Sequence, residues 1–343
     1  GGGEGEESAP FVKLAERVHQ ARTNSREIAR ELFALMIHPI TVEQFYSDYY
    51  QKKPLLVRRK NARYYDEWMT MKHVSELINT NELEWTYEVD VTSYKDGKRR
   101  THNGEGEADA DKIWDMHRKK GCSVRLLRPQ KRLGHMCLLL SLLEEHWGSG
   151  AGANVYLTPA GHQGFAPHWD DIEAFILQTE GCKHWKVYAP RSEGEVMPRF
   201  SSRNFEQSEV EAPVLECDLR AGDMLYFPRG WIHQARSSLE EHSLHVTASF
   251  GYRNSWYDVL KSSLECALDD LSRRDVRVRH SAPPDFLTYM GSAHAHAHAK
   301  DPRRAQFKKT AMSMLEGVLE SVPFDRAADA RARDLIRERL PTE

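Results

Sequence analysis

Two histidines, one aspartate and one lysine stand in settings where their types and spacing could do chemistry. In His168-Trp169-Asp170 an imidazole and a carboxylate lie two residues apart. On extended backbone such residues point to the same side and can converge on one point. The triplet alone says little, because 17 histidines and many aspartates produce such triplets by chance. A second histidine closes the block Gly222-Asp-Met-Leu-Tyr-Phe-Pro-Arg-Gly-Trp-Ile-His233, in which alternating Leu225 and Phe227 read as a strand ending at a Pro-Arg-Gly turn. Two histidines and one carboxylate on neighbouring strands would form a facial triad that leaves about three positions of an iron(II) ion open. The lysine lies in Lys183-His184-Trp185-Lys186-Val187, where alternation puts Lys183 on the face of Trp185 and Val187. A lysine on an apolar face costs free energy unless its ammonium meets an anion. Two readings are open: Lys183 reaches solvent at a barrel rim, or it neutralises the distal carboxylate of a dicarboxylate cosubstrate.

The elements that must position these groups are legible as short strands between Gly/Pro turns: 154–157, 174–178, 183–188, 214–219, 224–227 and 243–250. Many short strands at close spacing point to a sandwich or barrel. Ser243-Leu-His-Val-Thr-Ala-Ser249 is polar at every odd position and apolar at every even one, the pattern of a strand between a wet cavity and a core. Asn154, Tyr156 and Thr158 make a similar stripe. Upstream, apolar spacing predicts helices over 25–37 and 133–147, a capping box at Thr41-Val-Glu-Gln44, strands at 54–59 and 123–127, and a hairpin over 84–101 around Asp96-Gly97. Downstream, residues 255–271, 303–321 and 326–340 read as helices, with a histidine-alternating tract at 293–299 read as a flexible loop. Residues 1–24 read as a disordered leader.

Composition bounds the partners. Among 343 residues, 48 Lys and Arg against 51 Asp and Glu leave a net charge of −3. The basic surplus of a protein held to nucleic acid by phosphate contacts is missing, so direct nucleic-acid binding is not expected. The longest apolar stretch, 136–143, is far short of the roughly 20 residues a membrane helix needs. Five scattered cysteines without a CxxC pair suit a reducing compartment better than a disulfide framework.

As a set, His168-x-Asp170, the lysine fifteen positions after His168, and the block ending in His233 resemble the JmjC-type 2-oxoglutarate oxygenases. Within these, the runs Asn154-Val-Tyr-Leu-Thr-Pro159 and Gln163-Gly-Phe-Ala-Pro-His-Trp-Asp-Asp-Ile-Glu-Ala-Phe175 are similar to the ribosomal oxygenases, the nucleolar branch in particular. The resemblance implies an α+β chain: a double-stranded β-helix over residues 25–253 with a helical lead-in, then an all-helical dimerisation domain over 254–343. The family's winged-helix domain would begin about where this sequence stops. His168, Asp170 and His233 would be the catalytic Fe(II) ligands, with 2-oxoglutarate and O2 as cosubstrates. Lys183 would hold the 2-oxoglutarate tail, with Asn154, Thr247 and Ser249 about it, and Arg125 and Tyr156 would face a peptide substrate. The implied activity is hydroxylation of a histidine in a large-subunit ribosomal protein, by a homodimer in the nucleus, nucleolus and nucleoplasm. Demethylation of methyl-lysine on histone H3 is the alternative, and a non-catalytic cupin-type binding scaffold is the alternative of a different class. Trp169 replaces a tyrosine expected between the two ligands, with its side chain directed away from the metal.

Overall fold

The computed structural model describes residues 7, 9–20, 22–80, 82–296 and 299–337. It divides into two compact units, with the boundary between Tyr252 and Arg253. The first holds helices α1 (Phe11–Glu16), α2 (Ser25–Ile37), α3 (Val42–Asp48), α4 (Met71–Asn79), α5 (Ala110–Lys120) and α6 (Gly134–Trp147). Its strands are β1 (Leu55–Val57), β2 (Val89–Lys95), β3 (Lys98–Thr101), β4 (Ser123–Leu127), β5 (Ala151–Thr158), β6 (Glu173–Tyr188), β7 (Leu215–Arg220), β8 (Met224–Phe227), β9 (Ile232–Ser237) and β10 (Ser243–Phe250). Local chemistry sets the ends of these elements. The Asn24 side chain accepts the Arg26 N–H at the start of α2, and Thr41 accepts that of Gln44 at the start of α3. Asp96 and Gly97 both take positive φ (52° and 74°), the turn that joins β2 to β3.

All ladders are antiparallel. The larger sheet runs β1-β8-β6-β10-β5-β4-β2-β3, while β7 and β9 pair with the far half of β6. The stretches 174–178 and 183–188, expected as separate strands, are therefore one. The reason they read as two lies at a bulge: Leu244 faces Glu180 but His245 faces Gln178, so Thr179 is an extra residue. It reverses the parity of the strand. Ala174 and Ile176 face the interior cavity before the bulge; Lys183 and Trp185 face it after. Gly181, at φ 67°, makes the bend, and a Cβ there would collide with the His242 carbonyl.

On the other face of the larger sheet, Phe175, Leu177, Leu244, Val246, Ala248 and Phe250 join one core with α2 and α6. Trp147 stacks on Phe250 at 3.6 Å, and Phe175 lies 4.7 Å from Tyr226. Glu173 is sealed into this core with Tyr226 donating to one of its oxygens, and burial raises its pKa to about 7. Phe11 corrects the expected leader: it is fully buried against Tyr65 and Trp68, 5.8 Å from each ring. Residues 1–6, 8 and 21 of that stretch lie outside the described residues.

The second unit holds α7 (Trp256–Arg274), α8 (Val276–Arg279), α9 (Pro302–Leu319) and α10 (Phe324–Arg337). Ser255 and Asp258 form a reciprocal cap on α7. Ala267, Leu271 and Val318 make its small core, and Arg326 pairs with Asp270 at 2.6 Å. Leu260, Leu264 and Leu268 repeat every fourth residue along an exposed face of α7. Residues 297 and 298 of the histidine tract, and 338–340 of the expected last helix, lie outside the described residues.

Candidate metal centre and its cavity

The three expected ligands meet. His168 and His233 are joined by a two-way backbone bridge, His233 N–H to His168 O at 2.8 Å and His168 N–H to His233 O at 3.2 Å. This places the imidazoles with ring centroids 4.5 Å apart. Asp170 closes the group, one oxygen 3.8 Å from His168 Nε2 and the other 3.6 Å from His233 Nε2. All three ligand atoms lie within 4.8 Å of one another, and among the described residues no other His/Cys/Asp/Glu cluster meets that spacing.

Each histidine is oriented by its own backbone. His168 Nδ1 lies 2.8 Å from the Ala166 carbonyl, and His233 Nδ1 lies 3.1 Å from that of Trp231, in both cases two residues upstream. A carbonyl can only accept, so both rings carry the proton on Nδ1 and turn the Nε2 lone pair toward Asp170. Burial, then the neighbouring His168, lowers the His233 pKa to about 4 and keeps that lone pair free at neutral pH. Two neutral imidazoles and a carboxylate around an open face are the donor set of a non-haem iron(II) site. The ligand segment is also backed from outside: the Ser202 hydroxyl accepts the Trp169 N–H at 2.9 Å, and the Trp169 ring packs on Phe205 at 5.2 Å. Trp169 thus faces away from the ligand cluster, as expected.

The triad opens into a cavity of about 280 Å³. Every residue singled out from the sequence lines it: Lys183, Asn154, Thr247, Ser249, Arg125 and Tyr156. Lys183 does not reach solvent. It is 5% exposed, its Nζ donates to Thr158 Oγ1 at 3.2 Å, and burial lowers its pKa to about 7. The Ser123 hydroxyl donates to the same Thr158 oxygen at 3.1 Å, so that oxygen is fixed from two sides. Arg125 is held by Asp90, which also accepts from Asn103 at 2.6 Å.

Among the cavity residues that sequence reasoning did not single out are two basic ones. His245 is 2% exposed, stacked on Tyr156 at 4.8 Å and edge-on to Trp185 at 5.5 Å. Burial, then Lys183 and His233, push its pKa well below the ordinary histidine range. It belongs to the odd-position polar stripe of β10, which was the signal available. Arg99, in the Lys98-Arg99-Arg100 run of the expected hairpin, also lines the cavity.

Residues 125–258 match the JmjC domain family. The chain carries a JmjC domain. Its β core has the family's cupin-like fold, the expected double-stranded β-helix. Over 318 residues it is 43% identical to Ribosomal oxygenase 1 of Danio rerio, covering 93% of this chain and 58% of the relative. The bifunctional lysine-specific demethylase and histidyl-hydroxylase NO66 of Aedes aegypti is 41% identical, covering 93% of this chain and 50% of the relative. The chain thus spans about half the length of the curated relatives it matches. Among solved structures, the Escherichia coli ribosomal oxygenase YcfD in complex with cobalt and succinic acid shares the fold. Its TM-score is 0.54 at 18% identity, covering 83% of this chain and 68% of that chain.

Proposed function

We propose that this chain is an iron(II)- and 2-oxoglutarate-dependent oxygenase that hydroxylates a histidine side chain in a large-subunit ribosomal protein. The observation that carries the reading is a facial triad and a buried, anion-seeking lysine lining one cavity. The residues fit the implied groups. His168, Asp170 and His233 would hold iron(II), and the 280 Å³ cavity has room for a small dicarboxylate beside a side chain. YcfD, of the same fold, has been solved with cobalt and 2-oxoglutarate, and the relatives' names include ribosomal oxygenase and histidyl-hydroxylase.

When bound, iron(II) supplies the oxidising power that couples decarboxylation of a 2-oxo acid to insertion of oxygen into an unactivated C–H bond. The protein's residues do the rest. Lys183, aimed by Thr158, neutralises the far carboxylate; Asn154, Thr247 and Ser249 offer hydrogen bonds around it. Tyr156 and Arg125 wall the side where a peptide enters, and Asp90 fixes the guanidinium so that it loses little freedom on binding. Ile176, Trp185 and Phe227 exclude water from the reacting side. The exposed leucine face of α7 offers a surface for a homodimer, and relatives named as ribosomal oxygenases support a nuclear and nucleolar location.

The deciding experiment incubates the protein with ribosomal-protein and histone H3 peptides, with iron(II) and 2-oxoglutarate supplied or withheld. Mass spectrometry should show gain of one oxygen on a histidine, dependent on both. Loss of a methylene from methyl-lysine on H3 would replace the histidyl reading with the demethylase one. No product and no succinate would overturn both.

A further inference from the structure

The cavity contains a cation that neither the metal nor the cosubstrate accounts for. Arg99 stands on β3 with its guanidinium 4.4 Å over the Phe165 ring, while Arg125 lies 5.4 Å from the same ring. The two arginines differ in what they spend. Arg125 gives two donors to Asp90. Arg99 has no hydrogen-bond or ion-pair acceptor among the described residues, and its Nε is buried without a partner. Burial, then the charge of Arg125, lowers its pKa, with Asp90, Tyr156 and Asp170 opposing. Sharing the Phe165 ring with Arg125 sets Arg99 beside the group assigned above to the peptide side of the cavity.

A half-buried guanidinium without an oxygen partner is costly, because water no longer solvates it fully and no protein group replaces the water. Its fixed, planar donors suit an acceptor with two oxygens or one amide oxygen. Resting on the reading above, we propose that Arg99 is a specificity residue that selects peptides bearing a carboxylate or carboxamide side chain next to the target histidine. The stacking on Phe165 holds the guanidinium plane in place, and Arg125 on the same ring adds a second positive charge that favours the same acceptors. Arg100, the next residue on β3, is exposed and does not line the cavity. It provides the internal control.

The test reads binding apart from turnover. Histidine-centred peptides flanked by Asp, Asn or Ala are titrated, by fluorescence anisotropy, into full chain loaded with manganese(II) and 2-oxoglutarate without dioxygen. Asp- and Asn-flanked peptides should bind roughly tenfold or more tighter than Ala-flanked ones, the size expected for one charge-assisted hydrogen bond. Arg99→Ala should erase that preference with 2-oxoglutarate affinity unchanged, Arg99→Lys should keep it for Asp and lose it for Asn, and Arg100→Ala should leave everything as in the wild type. Added salt should weaken the Asp preference more than the Asn preference. Equal binding of all three peptides by the wild type, or equal weakening of all three by Arg99→Ala, overturns the proposal. A wild type that binds with the stated preference but never hydroxylates leaves the Arg99 assignment standing and removes the hydroxylase reading instead.

Discussion

Lys183 should be a liability to the empty protein, and replacing it with Met should stabilise the fold while destroying cosubstrate binding. Its pKa falls from 10.5 in the unfolded chain to about 7 in the folded one, through burial. The unfolded state therefore binds more protons between these values, and wild-type stability rises with pH across that window. At pH 7 the penalty is about 4 kcal/mol, shrinking to about 2 kcal/mol near pH 9 and to a few tenths near the unfolded pKa. Met fills nearly the same volume without a charge, and Ser123 still donates to Thr158 when the ammonium is gone. Lys183→Met should therefore raise the melting temperature at neutral pH, by about 2–4 °C for each kcal/mol recovered. The assay is a paired set of thermal melts of wild type and variant from pH 6.5 to 10, with 2-oxoglutarate affinity measured alongside. The gap between the melts should close as pH rises. A gap constant with pH, or a destabilised variant, would refute the view that an uncompensated ammonium is stored in the cavity. Undiminished 2-oxoglutarate affinity would refute its role as the anchor.

Two further outcomes follow from the geometry. Asp170→Asn keeps the shape but replaces a charged ligand oxygen, so manganese(II) or cobalt(II) affinity, read by calorimetry, should drop by at least ~10-fold, and chelator treatment of the wild type should abolish succinate formation. Glu173, with its pKa raised by burial to about 7 against 4.5 unfolded, holds a proton in the folded state that the unfolded chain releases, so wild-type stability should fall as pH rises through this window. Glu173→Gln should remove that dependence, and denaturant melts should show it gaining about 3 kcal/mol on the wild type between pH 5 and 8.

The reacting groups were legible because they sit in short strings of fixed type: His-x-Asp, a lysine on an apolar face, and a histidine after a Pro-Arg-Gly turn. Alternating polarity in β5 and β10 named the cavity walls for the same reason. What escaped the reading was what depends on chain tracing. The carbonyls of Ala166 and Trp231 that set both histidine tautomers carry no side-chain signature. Arg99 looked like its neighbours Lys98 and Arg100, and only the pairing of β2 with β3 shows which of the three turns inward. Phe11 was passed over because six helical residues after a Gly/Glu run are too few to show a period.

The extra residue at Thr179 has a consequence for the spacing of the motif. The fifteen-position interval from His168 to Lys183 includes one residue that makes no ladder step. Were Thr179 to take an ordinary ladder step instead, the far half of β6 would present Cys182 and His184 inward, trading the ammonium for a thiol and an imidazole. The anchor's identity is thus written in a reading frame of the backbone as much as in the choice of lysine.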